Sequence, residues 1–72
     1  DSINELIELS EKNEITHLVV DLEKNRGEVL IEIYNNEKQF PFLDKIFDSD
    51  QYEFDYKMKV FKIDYEKFDK LN

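Results

Sequence analysis

The chain lacks cysteine and has little glycine, proline or histidine, with one of each of these three among 72 residues. Without cysteine, it forms neither disulfides nor thiolate metal sites. One glycine excludes a glycine-rich phosphate loop, and one histidine means that any His-based metal site would need carboxylates as its other ligands. The serines offer no convincing nucleophile–base arrangement with His17. We therefore expect no enzyme activity, no catalytic residues, no metal and no cofactor.

Long hydrophobic runs are also missing. The longest apolar runs are three residues each, at Leu18–Val20 and Val29–Ile31, whereas a membrane-spanning helix needs about 20. The chain is long enough for one small domain, residues 1–72, and a cytoplasmic location is the default expectation.

Negative charge is abundant. The formal net charge is -8 with a pI near 4.5, while 40% hydrophobic residues and ten aromatic rings suffice for a core. A surface of this charge repels nucleic acids and anionic membranes and favours basic partners. We therefore expect a basic, nucleic-acid-binding protein as the partner, no direct nucleic-acid or membrane contact, and a monomer or weak homodimer.

The first half predicts a helix and a hairpin. "SINE" is a capping box in which Ser2 accepts from the Glu5 amide, so a helix is expected over Ile3–Lys12, with Asn13 as its stop. Alternating apolar residues then predict two paired strands, with Asn25, Arg26 and Gly27 as the turn and Gly27 free to take positive φ. The predicted aliphatic face pairs Leu22 with Val29, Val20 with Ile31 and Leu18 with Ile33. This pairing places His17 near Tyr34.

The second half is less regular. "FPFLDKIF" suits a short helix with its apolar face at Phe42–Phe47, although a strand over Glu37–Phe42 is an alternative. Alternation from Tyr52 predicts a strand, with a β-bulge or double coverage at Val60–Phe61. Asp64 is expected to cap a final helical turn. Together these elements predict a two-layer α+β fold: a three-stranded antiparallel sheet, or a four-stranded one, with an N-terminal helix and short additional helices.

The stretch "DSDQYEFDY", Asp48–Tyr56, holds four carboxylates and is therefore a candidate for metal binding or acid/base chemistry. Its D-x-D start matches a calcium loop, but Glu53 stands where that loop needs glycine and Lys59 where it needs a bidentate glutamate. Glu53 and Asp55 share one face of the predicted strand and could form an acid/base pair. This face continues as lysines, so we expect it to be too solvent-exposed to raise a carboxyl pKa. We interpret the stretch as a charged turn and strand edge.

Acidic residues with aromatic neighbours remain as the candidate binding surface. On the predicted hairpin they lie opposite the aliphatic face, and like charges near each other there, such as Glu23 and Glu28, are destabilising, which indicates selection for something other than stability. One interpretation is a surface that docks a positively charged protein. The simpler interpretation is a solubilising surface. The predicted partner-binding residues are Asp21, Glu23, Glu28, Glu32, Tyr34, Asp48, Asp50, Glu53 and Asp55.

"SINELIELSEKN" followed by "ITHLVVDLEKNRGEVLIEI" resembles the opening helix and first hairpin of small acidic phage-encoded anti-CRISPR proteins of an α-β-β-β type. The second half departs from that type by continuing into an aromatic, lysine-bearing strand from Tyr56. The resemblance implies DNA mimicry, in which carboxylates occupy arginine and lysine sites that normally hold phosphates. Two alternatives remain open: an immunity protein or antitoxin that neutralises a basic toxin, and a homo-oligomeric structural domain that pairs edge to edge along Tyr52–Ile63.

Overall fold

A computed structural model describes residues 2–24 and 27–71. Over these residues the chain forms three α-helices, three strands and two short 3-10 turns. The helices and strands, in chain order, are α1 (Ile3–Lys12), β1 (His17–Asp21), α2 (Glu28–Asn35), β2 (Leu43–Asp48), β3 (Met58–Ile63) and α3 (Tyr65–Leu71). The 3-10 turns are Glu37–Gln39, after α2, and Ser49–Tyr52, after β2.

The strands form one antiparallel sheet in the order β1-β3-β2, so the last strand lies in the centre. Val20 of β1 pairs with Lys59 of β3, and Leu43 of β2 pairs with Ile63. The predicted α+β class with a three-stranded antiparallel sheet is confirmed. Because β3 is paired on both sides, it has no free edge, and the predicted edge-to-edge oligomerisation along Tyr52–Ile63 is wrong in its mechanism.

The helices cover one face of the sheet and leave the other open. Alternate residues of β3 are buried under the helices, and the fully or nearly fully buried hydrophobic side chains come from all three helices and all three strands. On the opposite face Val19 pairs with Val60, yet Val19 remains 55% exposed. The buried core comprises Ile7, Val20, Ile33, Tyr34, Phe40, Phe42, Leu43, Phe61, Ile63 and Phe68.

Helix α1 has the predicted bounds, and Ser2 accepts from the Glu5 amide at 3.2 Å. At its other end the Ile15 amide donates to the Ser10 carbonyl at 2.9 Å and the Glu14 amide to the Glu11 carbonyl at 3.1 Å. This is a Schellman ending, which needs a left-handed residue after the cap. Asn13 is the C-cap that ends α1, as predicted, but its φ of -97° is not left-handed; the left-handed residue is Glu14, with φ 57°.

The predicted hairpin is wrong, because its second half is helix α2. In "EVLIEIYN" the apolar residues at Val29, Leu30, Ile33 and Tyr34 also match a helical repeat, and Ile33 and Tyr34 are the buried pair. The distant strand β3 takes the place beside β1, so these residues cover the sheet as a helix. Gly27 precedes the helix with φ -60° and does not use positive φ. Asn25 and Arg26 lie outside the described residues.

The second half also differs from expectation in which segments form strands and in where those strands begin. The stretch over Phe42–Phe47 was expected to be helical, but Leu43–Asp48 forms β2, and the alternative strand over Glu37–Phe42 is replaced by a 3-10 turn. Strand β3 begins only at Met58. The register irregularity predicted at Val60–Phe61 is present, but its extra residue is Ile46 of β2, which lies opposite these two residues because Lys45 pairs with Phe61 and Phe47 with Val60. Pairing with β3 explains β2, since it satisfies backbone groups that an isolated apolar stretch leaves open.

The predicted final helix is confirmed. The Lys67 amide donates to Asp64 Oδ1 at 3.0 Å, which caps α3, and Phe68 is buried in the core. The Tyr65 hydroxyl donates to the Ile15 carbonyl, which joins α3 to the loop after α1.

Candidate protein-binding surface

The sheet topology gathers acidic residues from separate parts of the chain at one end of the sheet. Because β3 is antiparallel to both neighbours, β1 and β2 end where β3 begins, and Asp21 lies opposite Met58. The Leu22 amide donates to the Lys57 carbonyl at 3.0 Å, and Ile31 of α2 lines the same pocket as these residues. We call this surface the acidic end. It comprises Asp21, Glu23, Glu28, Asp50, Glu53 and Asp55.

Most carboxylates of the acidic end have no cationic partner among the described residues. Within residues 2–24 and 27–71, Glu23, Glu28, Glu53 and Asp55 are exposed and form no salt bridge. Asp50 is paired with Lys57 at 3.1 Å, but both side chains are about half exposed, so the pair contributes little to stability. This end of the protein therefore presents a strong negative field.

Buried polar contacts hold the loop between β2 and β3 in place. Ser49 is completely buried, and its hydroxyl accepts from the Met58 amide at 3.0 Å. Asp48 Oδ1 accepts from the Asp50 amide at 3.0 Å, while its other oxygen accepts from Lys45 at 2.8 Å. The hydrogen bond from Lys45 holds the pKa of Asp48 below its usual range. The loop is consequently anchored at its base while its tip is exposed.

Glu53, at the tip of this loop, has a left-handed backbone. Its φ of 58° and ψ of 31° end the 3-10 turn, and its amide donates back to the Asp50 and Ser49 carbonyls. Non-glycine residues are uncommon in this region because the left-handed conformation is energetically unfavourable for them. Strain of this kind concentrates at functional sites.

Four aromatic rings stack beside these carboxylates. Phe47 stacks on Tyr52 with ring centroids 5.5 Å apart, Tyr52 on Phe54 at 5.8 Å, and Phe54 on Tyr56 at 5.2 Å. The ring planes differ by only 12°, 24° and 11° in turn. We call these residues the aromatic ladder. It begins on the open face of the sheet, where Phe47 pairs with Val60, and continues along the loop between β2 and β3.

Close to the loop between β2 and β3 lies a buried charge network that was not predicted from the sequence. Lys59 is only 9% exposed, donates to Glu37 Oε2 and to the Tyr34 carbonyl, both at 2.7 Å, and lies 4.1 Å from the Tyr34 ring centroid. Burial alone would raise the pKa of Glu37, but hydrogen bonds from Lys45 and Lys59 lower it overall. The alternation Lys59, Phe61, Ile63 was the available signal for an inward-facing lysine.

The predicted partner-binding residues thus fall into three groups. Glu23, Glu28, Asp50, Glu53 and Asp55 are exposed at the acidic end, with Asp21 half-buried beside them and Glu32 exposed one turn further along α2. Tyr34 and Asp48 are buried and bond within the protein, so we omit them from the proposed surface. His17 pairs with Lys62 and lies 2.8 Å from the Thr16 hydroxyl; the pairing that would have placed it beside Tyr34 does not form.

Across residues 2–24 and 27–71, no group of three or more potential ligands is arranged to hold a metal ion. In the same part of the chain, none of the helices has the length and apolar character to cross a membrane. Comparison of the chain with protein-family models, curated proteins and solved structures finds no match.

Proposed function

We propose that this protein is a non-enzymatic inhibitor whose acidic end occupies the basic surface of a nucleic-acid-handling protein. The observation that supports this proposal most strongly is the convergence of uncompensated carboxylates from the β1–α2 region and the β2–β3 loop on one end of the sheet. A nucleic-acid-binding protein offers the complementary array, since its lysines and arginines are arranged to neutralise phosphates.

The arrangement of salt bridges agrees with this role. Three ion pairs of 2.7–2.8 Å join Glu37 and Asp48 to Lys45 and Lys59 in and beside the interior. These pairs engage Lys45 and Lys59 with Glu37 and Asp48, so the exposed lysines at the acidic end are Lys24 and Lys57. Carboxylates that meet cations only on binding give fast, salt-sensitive association.

The chemistry of the exposed surface implies competition with nucleic acid. A carboxylate-bearing surface that fits a phosphate-binding groove excludes DNA or RNA from it, as in the DNA mimicry that the resemblance to anti-CRISPR proteins implies. We therefore propose an RNA-guided nuclease, or another basic nucleic-acid-binding protein, as the target. Targets of this class act in the cytoplasm, and we propose the same location for this protein.

A pull-down followed by competition tests the proposal. The tagged protein is incubated with nuclease-treated bacterial lysate and washed at low and then high salt, and the captured protein is titrated with duplex DNA. We expect a basic nucleic-acid-binding protein that is released at high salt and by DNA. Capture that resists salt, or that coexists with bound DNA, would contradict mimicry.

Paired neutralisations locate the contact. Glu53→Gln with Asp55→Asn removes two charges from the acidic end, and the control pair Glu8→Gln with Asp69→Asn removes two exposed charges from α1 and α3. We expect the first pair to weaken binding at low salt by about tenfold and the second to change it little. Equal effects would mean that net charge alone matters and that the acidic end is not the contact.

A further inference from the structure

The aromatic ladder forms one apolar patch with the open face of the sheet. Val19 and Phe47 both pair with Val60, and the ladder extends this row beyond the sheet. Tyr52 is 60% exposed and Phe54 47% exposed, which is unusual for large aromatic side chains. A contiguous exposed patch of this kind on a small protein marks an interaction site.

The charges around the ladder restrict what covers it. The carboxylates of Glu53 and Asp55 alternate in the chain with the ring residues Tyr52, Phe54 and Tyr56, and neither forms a salt bridge with a described residue. A second copy of this chain would bring another net charge of -8, and nucleic acid would bring phosphates, so both are repelled. The complementary partner combines positive charge with a flat surface that stacks on rings.

Arginine has this combination. Its guanidinium is planar and weakly hydrated, stacks on aromatic faces and pairs with carboxylates in a two-pronged geometry, whereas lysine is a strongly hydrated point charge. The ring centroids are 5.2–5.8 Å apart, well beyond the roughly 3.5–4.0 Å contact distance between carbon atoms. Nearly parallel rings at this centroid separation are offset-stacked, and the exposure of Tyr52 and Phe54 leaves part of these two rings open to a stacking group.

The alternation of rings and carboxylates along the ladder suits an extended chain. Side chains on one side of an extended segment repeat about every 6.6–6.8 Å, twice the rise per residue, which is about 1 Å more than the 5.2–5.8 Å between successive ring centroids, and the long arginine side chain can span this difference. We propose, as an extension that rests on the proposed function, that the ladder binds an extended segment of the basic partner with arginines at alternate positions. Each guanidinium stacks on a ring and pairs with Glu53 or Asp55.

Matched peptides test this inference without a known partner. A labelled extended peptide with arginines at alternate positions is compared, by fluorescence anisotropy at low salt, with the same peptide carrying lysines. We expect the arginine peptide to bind about fivefold more tightly, because stacking adds to the shared charge. Phe54→Leu should remove this preference while leaving the affinity for the lysine peptide unchanged.

Two further variants control for folding and for general apolar contact. Tyr52→Leu changes the most exposed ring and should act as Phe54→Leu does, and a melting temperature close to that of the wild type shows that each variant is folded. Leu71→Ala removes an exposed apolar side chain from α3 and should leave both peptide affinities unchanged.

The outcomes separate this inference from the proposed function. Equal affinity for both peptides, lost in both cases with Glu53→Gln and Asp55→Asn, overturns the arginine assignment and leaves a basic partner in place. Absence of binding by either peptide also overturns it, while the pull-down decides the proposed function independently. Dimers in sedimentation that Phe54→Leu abolishes would assign the ladder to a second copy and overturn the inference.

Discussion

Replacing Glu53 with glycine should stabilise the protein and weaken its binding at the same time. The backbone of Glu53 is left-handed, with φ 58°, and the described structure shows no hydrogen bond or salt bridge from its exposed side chain. The substitution therefore removes a Cβ that is unfavourable in this region without removing a described side-chain contact. The carboxylate proposed to meet the partner is lost in the same step.

The size of the effect follows from two opposing contributions. The left-handed region costs an L-residue roughly 1–2 kcal/mol, and glycine offsets about 0.5–1 kcal/mol of this gain through its greater freedom in the unfolded chain. We expect a net stabilisation of about 1 kcal/mol, which raises the melting temperature of a domain of this size by about 4–8 °C. Urea denaturation followed by circular dichroism measures the same difference independently.

Glu53→Gln is the matched control, because it removes the charge and keeps the Cβ. Any relief of repulsion from neighbouring carboxylates appears in both variants, so the difference between the glycine and glutamine variants isolates the backbone. If the two variants are equally stable, the left-handed conformation at this position costs nothing and the reasoning fails. If both bind the captured partner as tightly as the wild type, Glu53 is not part of the contact.

Four further predictions concern the fold. Glu14→Gly should also stabilise by about 1 kcal/mol relative to Glu14→Gln, since Glu14 is the left-handed residue of the Schellman ending; unlike the change at Glu53, it should leave partner binding unchanged. Lys59→Met should lower the free energy of unfolding by about 2–3 kcal/mol, because it leaves the Tyr34 carbonyl without this buried donor; stability equal to the wild type in urea would show that the buried lysine is dispensable. Tyr34→Phe should be neutral or stabilising in the same assay, because the Tyr34 hydroxyl is buried without a hydrogen-bond partner among the described residues. The pKa values of Glu37 and Asp48 are lowered from 4.5 and 3.8, so their contribution is present above those values and should be lost as pH falls below them; a melting temperature that does not decline on acidification would contradict this.

The local signals in the sequence were sufficient for the two terminal helices. Ser2 and Glu5 mark the start of α1, and Asp64 marks the start of α3, because capping depends on hydrogen bonds between residues three positions apart. Such contacts depend on the local sequence and do not require a particular tertiary fold. The α+β class was also predictable, since alternation and helical repeats both occur in the chain.

The middle of the chain was not predictable in the same way. "EVLIEIYN" satisfies both a strand and a helix repeat, and "FLDKIF" satisfies both as well. The deciding factor was β3, which lies far along the sequence and pairs with β1 and β2 on its two sides. Once both edges of β3 were occupied, Val29–Ile33 had no strand to pair with in the predicted place and packed over the sheet as a helix.

The candidate surface was also only partly predictable from the sequence. Composition by itself determined that the protein is acidic and without cysteine, and the residue types of "DSDQYEFDY" already placed carboxylates beside aromatic rings. Only the tertiary structure decided that Asp21 and Glu23 join Glu53 and Asp55 at one end of the sheet, that the rings stack, and that Lys59 turns inward. The physical reason is that charge and residue type are local properties, whereas the position of a side chain depends on strand pairing between distant segments, whose energy no short stretch contains.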